Sequence, residues 1–303
     1  QTAFADDTSD SVTAASVAAV VGYANIDTTD TSTTVHPYTQ MRINEVHTFT
    51  DGTNYLTGVG QTIHIADFNC NTNLDIYDNK TILNLDDGGA GESTFGNDDA
   101  DNNHCNAVAT FAAGDDQTGI TWRGVAPDAD LVLSSIPNTE GTYDYDDYAR
   151  DLDSARAAGA VASNNSWALT DATSGGYATS HYDATEFQAF YDTYKSSYTL
   201  AQIAGVAIEG GSLVSAQTSA WQTYITALDN FQNTGVIVFA NGNFNTDSDA
   251  SAMAALPYWY NGGTDGLGNA VEDLSEAWLS VAYADFTGAD MVNITESEFT
   301  MKG

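Results

Sequence analysis

Basic residues are scarce in this chain: 7 lysines and arginines stand against 42 aspartates and glutamates, for a formal net charge of −35. Contact with phosphates requires lysine and arginine, so this balance argues against nucleic acid and against anionic membrane surfaces as partners. Self-repulsion among so many carboxylates lowers stability, and salt screens it. We therefore expect a soluble acidic surface suited to saline surroundings, as in a secreted or cell-surface protein of a marine bacterium.

Long apolar runs and cysteines are also in short supply. No run of 18 apolar residues occurs, so the sequence predicts no membrane span. No charged segment followed by an apolar run opens the chain, and we expect a processed form without a signal peptide. The two cysteines, Cys70 and Cys105, are too few for a disulfide-rich scaffold but leave room for one bridge.

The amino-acid composition of the chain changes near residue 36. Residues 1–35 are rich in Asp, Ser, Thr and Ala, and this composition predicts an acidic N-terminal arm or linker. Residues 36–303 are expected to form a domain with short apolar runs that predict buried parallel strands. These runs are TIHIADF (62–68), ADLVLSSI (129–136), GAVASNNS (159–166), GVIVFANGN (235–243) and AWLSVAYAD (277–285).

Amphipathic patterns between these runs predict helices over 104–113, 145–159, 185–195 and 218–235. Alternating strands and helices predict an α/β fold with a mainly parallel central sheet and helices on both faces. Loops are predicted over 85–103, 169–186 and 196–217. The last two, with the helix between them, are interpreted as one insertion at about 169–217.

Polar residues stand at the ends of three of these elements. Asp67 ends one strand, Asn243 ends another, and His104 opens a helix. Sites in an open parallel sheet form beyond the carboxyl ends of the strands, so we expect the three residues to converge. A carboxylate can hold an imidazole in one tautomer, which leaves its other nitrogen as a general base, and an amide can donate to a developing oxyanion. A nucleophile is missing from this set.

The same segments resemble the motifs of the subtilisin-like serine proteases, the subtilases. HCNAVATFAAG is similar to the histidine motif HGTHVAGTIAG without a gap, QTIHIADFN to the aspartate strand VAVIDTG, and GVIVFANGN to VVVAAAGN. GVAPDADLVLSSI and AGAVASNNSWA resemble GVAPNAKLVAVKV and GADVINNSWG. The resemblance covers roughly residues 37–286 and implies the subtilisin-like three-layer fold with its C-terminal part missing.

The resemblance also implies roles for particular residues. Asp67 would orient the base, His104 would be the general base, and Asn243 would bind the oxyanion. The cleft for a protein or peptide substrate would be lined by Ser166, Trp167 and Ala168, where an extended chain adds as a strand. Trp167 fits an ordinary core residue equally well.

The departures from the family pattern bear on activity. Cys105, Asn106 and Ala107 replace the Gly, Thr and second His of the histidine motif, and the serine motif GTSMAAP does not occur in these 303 residues. We expect a longer parent polypeptide whose C-terminal remainder carries the serine, which makes the protein a secreted endopeptidase. The alternative is an extracellular surface or filament-forming protein, catalytically inactive, that self-assembles on a subtilase scaffold.

Calcium is expected as a structural ion at most, with no cofactor needed for the chemistry. The candidates are residues 85–103 and the pair Asp115–Asp116. Oxygen-bearing residues at alternating positions after Asp67 approach a calcium-loop spacing, but they fit a hydrophilic turn equally well.

The two cysteines and His64 lie near the predicted site residues. If Asp67 and His104 touch, then Cys70 and Cys105, which adjoin them in sequence, are near enough to bridge. Two separate thiols are the alternative. His64, just before Asp67 on the same strand, is interpreted as structural.

Overall fold

The computed structural model describes residues 43–47, 49–67, 77–85, 104–115, 124–135, 145–174, 177–209, 217–242 and 249–282. The predicted arm, residues 1–35, lies outside them. The described helices are α1 (Ile43–Val46), α2 (His104–Ala113), α3 (Tyr145–Ala157), α4 (Ala184–Tyr194), α5 (Leu200–Glu209) and α6 (Gln217–Gln232). The described strands are β1 (Thr62–Asp67), β2 (Ile82–Asn84), β3 (Asp130–Ser135), β4 (Ala160–Asn165), β5 (Thr170–Ser174), β6 (Tyr177–His181), β7 (Val236–Ala240) and β8 (Trp278–Val281).

A six-stranded sheet forms the centre of the described part, in the order β2-β3-β1-β4-β7-β8. Every neighbouring pair in it is parallel. The predicted α/β class and the five predicted strands are confirmed. The sequence missed β2, because a strand of three residues, none of them fully buried, leaves almost no apolar run to detect.

Helices cover both faces of this sheet, which makes three layers. Alternate side chains of β1 point to opposite faces. Ile65 packs in a cluster with Cys105 and Ala109 of α2. Ala66 packs in the larger cluster built from α3, α6 and the aromatic residues around them. In that cluster the rings of Tyr145 and Trp221 meet edge to face, with their centroids 4.9 Å apart.

The apolar stripe predicted for α6 is confirmed. All five of its large side chains are buried, with exposed fractions of 3% or less: Trp221, Tyr224, Ile225, Leu228 and Phe231. The stripe faces α3 and the sheet, which explains how a helix with a polar outer side becomes part of the core. No described helix is long and apolar enough to cross a membrane.

The predicted loops at 169–186 and 196–217 are wrong in part. The first contains the antiparallel hairpin of β5 and β6, whose short threonine- and serine-rich strands lack an apolar alternation. The second contains α5, in which Gly205 and the β-branched residues weaken the helical signal. Burial of Leu200, Ile203 and Ala204 against the neighbouring helices α4 and α6 outweighs that weak propensity.

The predicted aromatic helix at 185–195 is confirmed as α4. Asp183 begins it with a capping box: its carboxylate accepts a hydrogen bond from the Glu186 backbone N–H at 2.9 Å. The Glu186 side chain accepts one in return from the Asp183 backbone N–H at 3.0 Å. Of the aromatic residues on this helix only Phe187 is fully buried, so α4 lies at the surface of the fold.

Candidate active site

Asp67 and His104 are brought together by the packing of β1 on α2. Asp67 is the last residue of β1 and His104 is the first residue of α2. The two oxygens of the Asp67 carboxylate lie 2.7 and 3.0 Å from His104 Nδ1. The Asp67 side chain is fully buried, whereas 53% of the His104 side chain is exposed. The carboxylate is thus hidden behind an imidazole that solvent can reach.

This geometry sets the tautomer and basicity of His104. A carboxylate accepts hydrogen bonds, so the Nδ1–H of the ring donates to Asp67 and Nε2 is left as the free basic nitrogen of the neutral ring. The hydrogen bond to Asp67 raises the pKa of His104 above its usual 6.5, and partial burial acts in the opposite direction. A base oriented in this way can take a proton at Nε2 while Asp67 stabilises the resulting cation.

Asn243 lies outside the described residues, but the turn leading to it is described. Strand β7 is parallel to β1 with β4 between them, so their carboxyl ends reach the same edge of the sheet. Beyond β7, the Asn241 backbone N–H donates to the Val281 carbonyl at 2.9 Å, and the Asn241 carbonyl accepts from the Ser251 N–H at 2.8 Å. These bonds anchor the chain two residues before Asn243.

His181 is a residue near this turn that the sequence reasoning missed. It ends β6, is 8% exposed, and lies against Gly242. Gly242 has a φ of +117°, and a Cβ placed on it would lie 2.6 Å from His181 Nδ1. The glycine is therefore required both by its backbone angle and by the imidazole beside it. The only sequence signal was the glycine itself, because β6 had been interpreted as a loop.

The predicted cleft segment directly follows β4. Ser166 Oγ accepts a hydrogen bond from Asn164 Nδ2 at 2.9 Å. Trp167 is 5% exposed, and its ring meets Phe239 edge to face at 5.3 Å. Ser166 and Ala168 are half-buried. The indole thus packs in the core, which supports the second interpretation of Trp167.

The structure describes one of the two cysteines of the predicted disulfide. Cys105 is fully buried and engaged in a disulfide bond, and none of the described cysteines is free. Its predicted partner, Cys70, lies outside the described residues, so the pairing stays a prediction.

The calcium candidates are only partly described. Among the described residues, no group of three or more His, Cys, Asp and Glu side chains could hold a metal ion. Asp115 accepts a hydrogen bond from Asn79 at 2.6 Å, and the Lys80 ammonium is close enough to interact with it. Asp116 and residues 86–103 lie outside the described part, and calcium stays a prediction.

Comparison with known families identifies the family of this chain. A model of the subtilase family, peptidase S8, matches residues 25–301. The chain belongs to the subtilase family. The resemblance stated from the sequence motifs is therefore confirmed at the level of the family. No curated protein matches this subtilase.

Solved structures similar to this subtilase include MycP1, PagA and Apa1. MycP1 with its N-terminal propeptide removed is 20% identical over 69% of this chain and 49% of that one, with a TM-score of 0.39. The prenylagaramide maturation protease PagA is 15% identical over 76% and 65%, with a TM-score of 0.38. The psychrophilic subtilisin-like protease Apa1 from the Antarctic Pseudoalteromonas sp. AS-11 is 14% identical over 65% and 34%, with a TM-score of 0.37. The present chain spans about half the length of the MycP1 structure.

Proposed function

We propose that this subtilase is a secreted serine endopeptidase that hydrolyses peptide bonds through an Asp-His-Ser triad, with the serine outside these 303 residues. The observation that carries the proposal is the contact between His104 Nδ1 and both carboxylate oxygens of Asp67, at 2.7 and 3.0 Å. A buried carboxylate behind a half-exposed imidazole is the arrangement that general-base catalysis requires.

The proposed chemistry assigns one step to each group. His104 Nε2 takes the proton of the serine hydroxyl as that oxygen attacks the peptide carbonyl, and Asp67 stabilises the imidazolium. The amide of Asn243 donates to the oxyanion of the tetrahedral intermediate. His104 then gives the proton to the departing amine, and a water repeats the cycle on the acyl-enzyme.

The substrate would be a protein or peptide in extended conformation. The backbone of residues 166–168, just beyond β4, would pair with it as an added strand. Trp167 is buried against Phe239, so its ring is not available to a substrate side chain. Peptide specificity would then depend on groups other than this indole.

The test uses a fluorophosphonate probe, which labels activated serines, on the longer parent protein. We expect labelling of the parent and loss of labelling in His104→Ala and Asp67→Ala. Phe111→Ala is the matched control, because Phe111 lies on the same helix and is 63% exposed. It should label like the parent. Labelling that is unchanged in folded His104→Ala would contradict the proposal, and a folded parent without labelling would support the non-catalytic surface or filament protein.

An extracellular location and structural calcium are parts of the same proposal. The net charge of −35 supports both, since salt or divalent cations reduce the repulsion among carboxylates. We expect the midpoint of thermal unfolding to rise with calcium over that in chelator at equal ionic strength. Equal midpoints in the two buffers would speak against a calcium site.

A further inference from the structure

A polar network crosses the core beneath the sheet strands β3, β1 and β4. His64 of β1 lies at its centre, and both nitrogens of its ring face serine hydroxyls. Nδ1 lies 3.0 Å from Ser163 Oγ, and Nε2 lies 2.8 Å from Ser134 Oγ. None of the three residues is more than 3% exposed. The network belongs to the face covered by α3 and α6, opposite the face that carries α2.

The direction of the hydrogen bonds in this network can be assigned by starting from Asn165. Asn165 Nδ2 lies 3.3 Å from the carbonyl oxygens of Ser163 and Val238 and 3.2 Å from Ser163 Oγ. Carbonyl oxygens only accept, so this atom is the amide nitrogen and donates. The Ser163 hydroxyl can then donate to His64 Nδ1.

The same order continues through the imidazole. Burial lowers the pKa of His64 to about 4, so the ring is neutral near pH 7 and carries one proton. If the Ser163 hydroxyl donates to Nδ1, that proton lies on Nε2 and is donated to Ser134 Oγ. The hydroxyl proton of Ser134 is left to find an acceptor beyond the imidazole.

A second donor in the same place has no acceptor within the described part of the chain. Trp167 Nε1 is buried, and none of the described residues is its hydrogen-bond partner. Each of the other described tryptophans donates its indole N–H to a protein oxygen: Trp221 to Tyr260 at 2.8 Å, Trp259 to Gln188 at 2.8 Å, and Trp278 to the Ala254 carbonyl at 3.0 Å. Buried indole N–H groups ordinarily find a partner, so Trp167 is the exception.

A small cavity lies where these donors meet. It is lined by His64, Ala66, Ser134, Tyr148, Leu152, Asn165, Trp167 and Tyr224, all of them buried. It offers ≈ 20 Å³ to the centre of a water-sized sphere. One buried water needs about 10–15 Å³ by that measure, together with two to four polar partners. The volume meets the first requirement, and Ser134 and Trp167, which both line the cavity, are the donors that could meet the second.

We propose that one internal water occupies this cavity and accepts hydrogen bonds from Trp167 Nε1 and from the Ser134 hydroxyl. The water joins the segment after β4 to β3, across the imidazole of His64. It thereby satisfies two buried donors that would otherwise be desolvated without compensation. The proposal does not rest on peptide hydrolysis, since the cavity lies on the opposite face of the sheet from α2 and the water needs no serine nucleophile.

Two measurements on the folded protein test the site. In a high-resolution crystal structure we expect density for one water at roughly 2.7–3.2 Å from both Trp167 Nε1 and Ser134 Oγ. In solution, with ¹⁵N-labelled tryptophan, the Trp167 indole proton should show a nuclear Overhauser effect to a long-lived water. The Trp221 indole, bonded to Tyr260, serves as the matched control and should show none.

Two variants assign these signals. Trp167→Phe should remove the indole–water signal, and Ser134→Ala should weaken or remove the water density while the fold is kept. An empty cavity, a protein atom bonded to Trp167 Nε1, or an indole–water signal that persists in Trp167→Phe would overturn the proposal.

Discussion

Replacing His64 with glutamine is expected to make the folded protein less sensitive to acid. Burial lowers the pKa of His64 from its usual 6.5 to about 4. The residues that line the adjoining cavity include no carboxylate that could hold an imidazolium. The ionisable groups facing it from α3 and α6 are Tyr148 and Tyr224, and burial raises the pKa of Tyr224 further from this range. Glutamine keeps polar contacts to the serines but does not titrate.

The sign and size follow from proton linkage. Between about pH 6.5 and pH 4 the unfolded chain binds a proton at His64 that the folded protein does not bind, so the free energy of unfolding falls as the pH falls. A shift from 6.5 to about 4, at about 1.4 kcal/mol per pKa unit, corresponds to about 3 kcal/mol. That is a large part of the roughly 5–15 kcal/mol that keeps a typical domain folded.

Urea unfolding followed by tryptophan fluorescence measures this effect at about pH 7.5, 5.5 and 4. We expect the stability advantage of the wild type over His64→Gln to shrink by about 3 kcal/mol across this range. His104→Gln is the control of opposite sign, because the pKa of His104 is raised. The contribution of His104 is present below its unfolded pKa and is lost as the pH rises through its folded pKa. Parallel curves for wild type and His64→Gln would refute the reasoning.

Two further predictions concern the site and the turn beside it. Asp67→Asn should lower the pKa of His104 in an NMR titration, because the accepting carboxylate that raises it is lost; an unchanged pKa would contradict the observed pair. Gly242→Ala should destabilise the fold by more than about 1 kcal/mol in thermal or urea unfolding, because it adds a clash with His181 to a positive φ. Gly159→Ala is the matched control, with φ +84° and no atom within 4 Å of an added Cβ, and it should cost less. Equal losses of stability in the two variants would show that the His181 side chain moves aside and that the clash costs nothing.

Much of the fold could be predicted because it is coded locally. Strands such as β1 and β7 are short apolar runs, and the apolar stripe of α6 repeats at the helical period, so propensity and burial agree. Asp67 and His104 could be placed together because Asp67 ends a strand and His104 begins a helix at a predictable edge of a parallel sheet. Both predictions needed only the order and length of neighbouring elements.

The elements that were missed depend on contacts with other elements of the fold. Helix α5 forms despite Gly205 because its apolar side is covered by α4 and α6. The contact of His181 with Gly242 depends on strand β6, which the sequence did not predict. In both cases the local sequence gave a weak signal or none, and packing against another element decided the outcome.

The sequence by itself determined the family, the alternation of strands and helices, and the edge of the sheet where a carboxylate and an imidazole meet. Those features follow from apolar periodicity and from motifs held within single elements. Only the tertiary structure decided that His104 Nδ1 faces Asp67. Only it showed that Trp167 turns its indole into the core and that His64 joins two serines beside a small cavity. The reason is physical: hydrogen-bond direction and cavity shape depend on side chains brought together from distant strands, and no local pattern encodes their spacing.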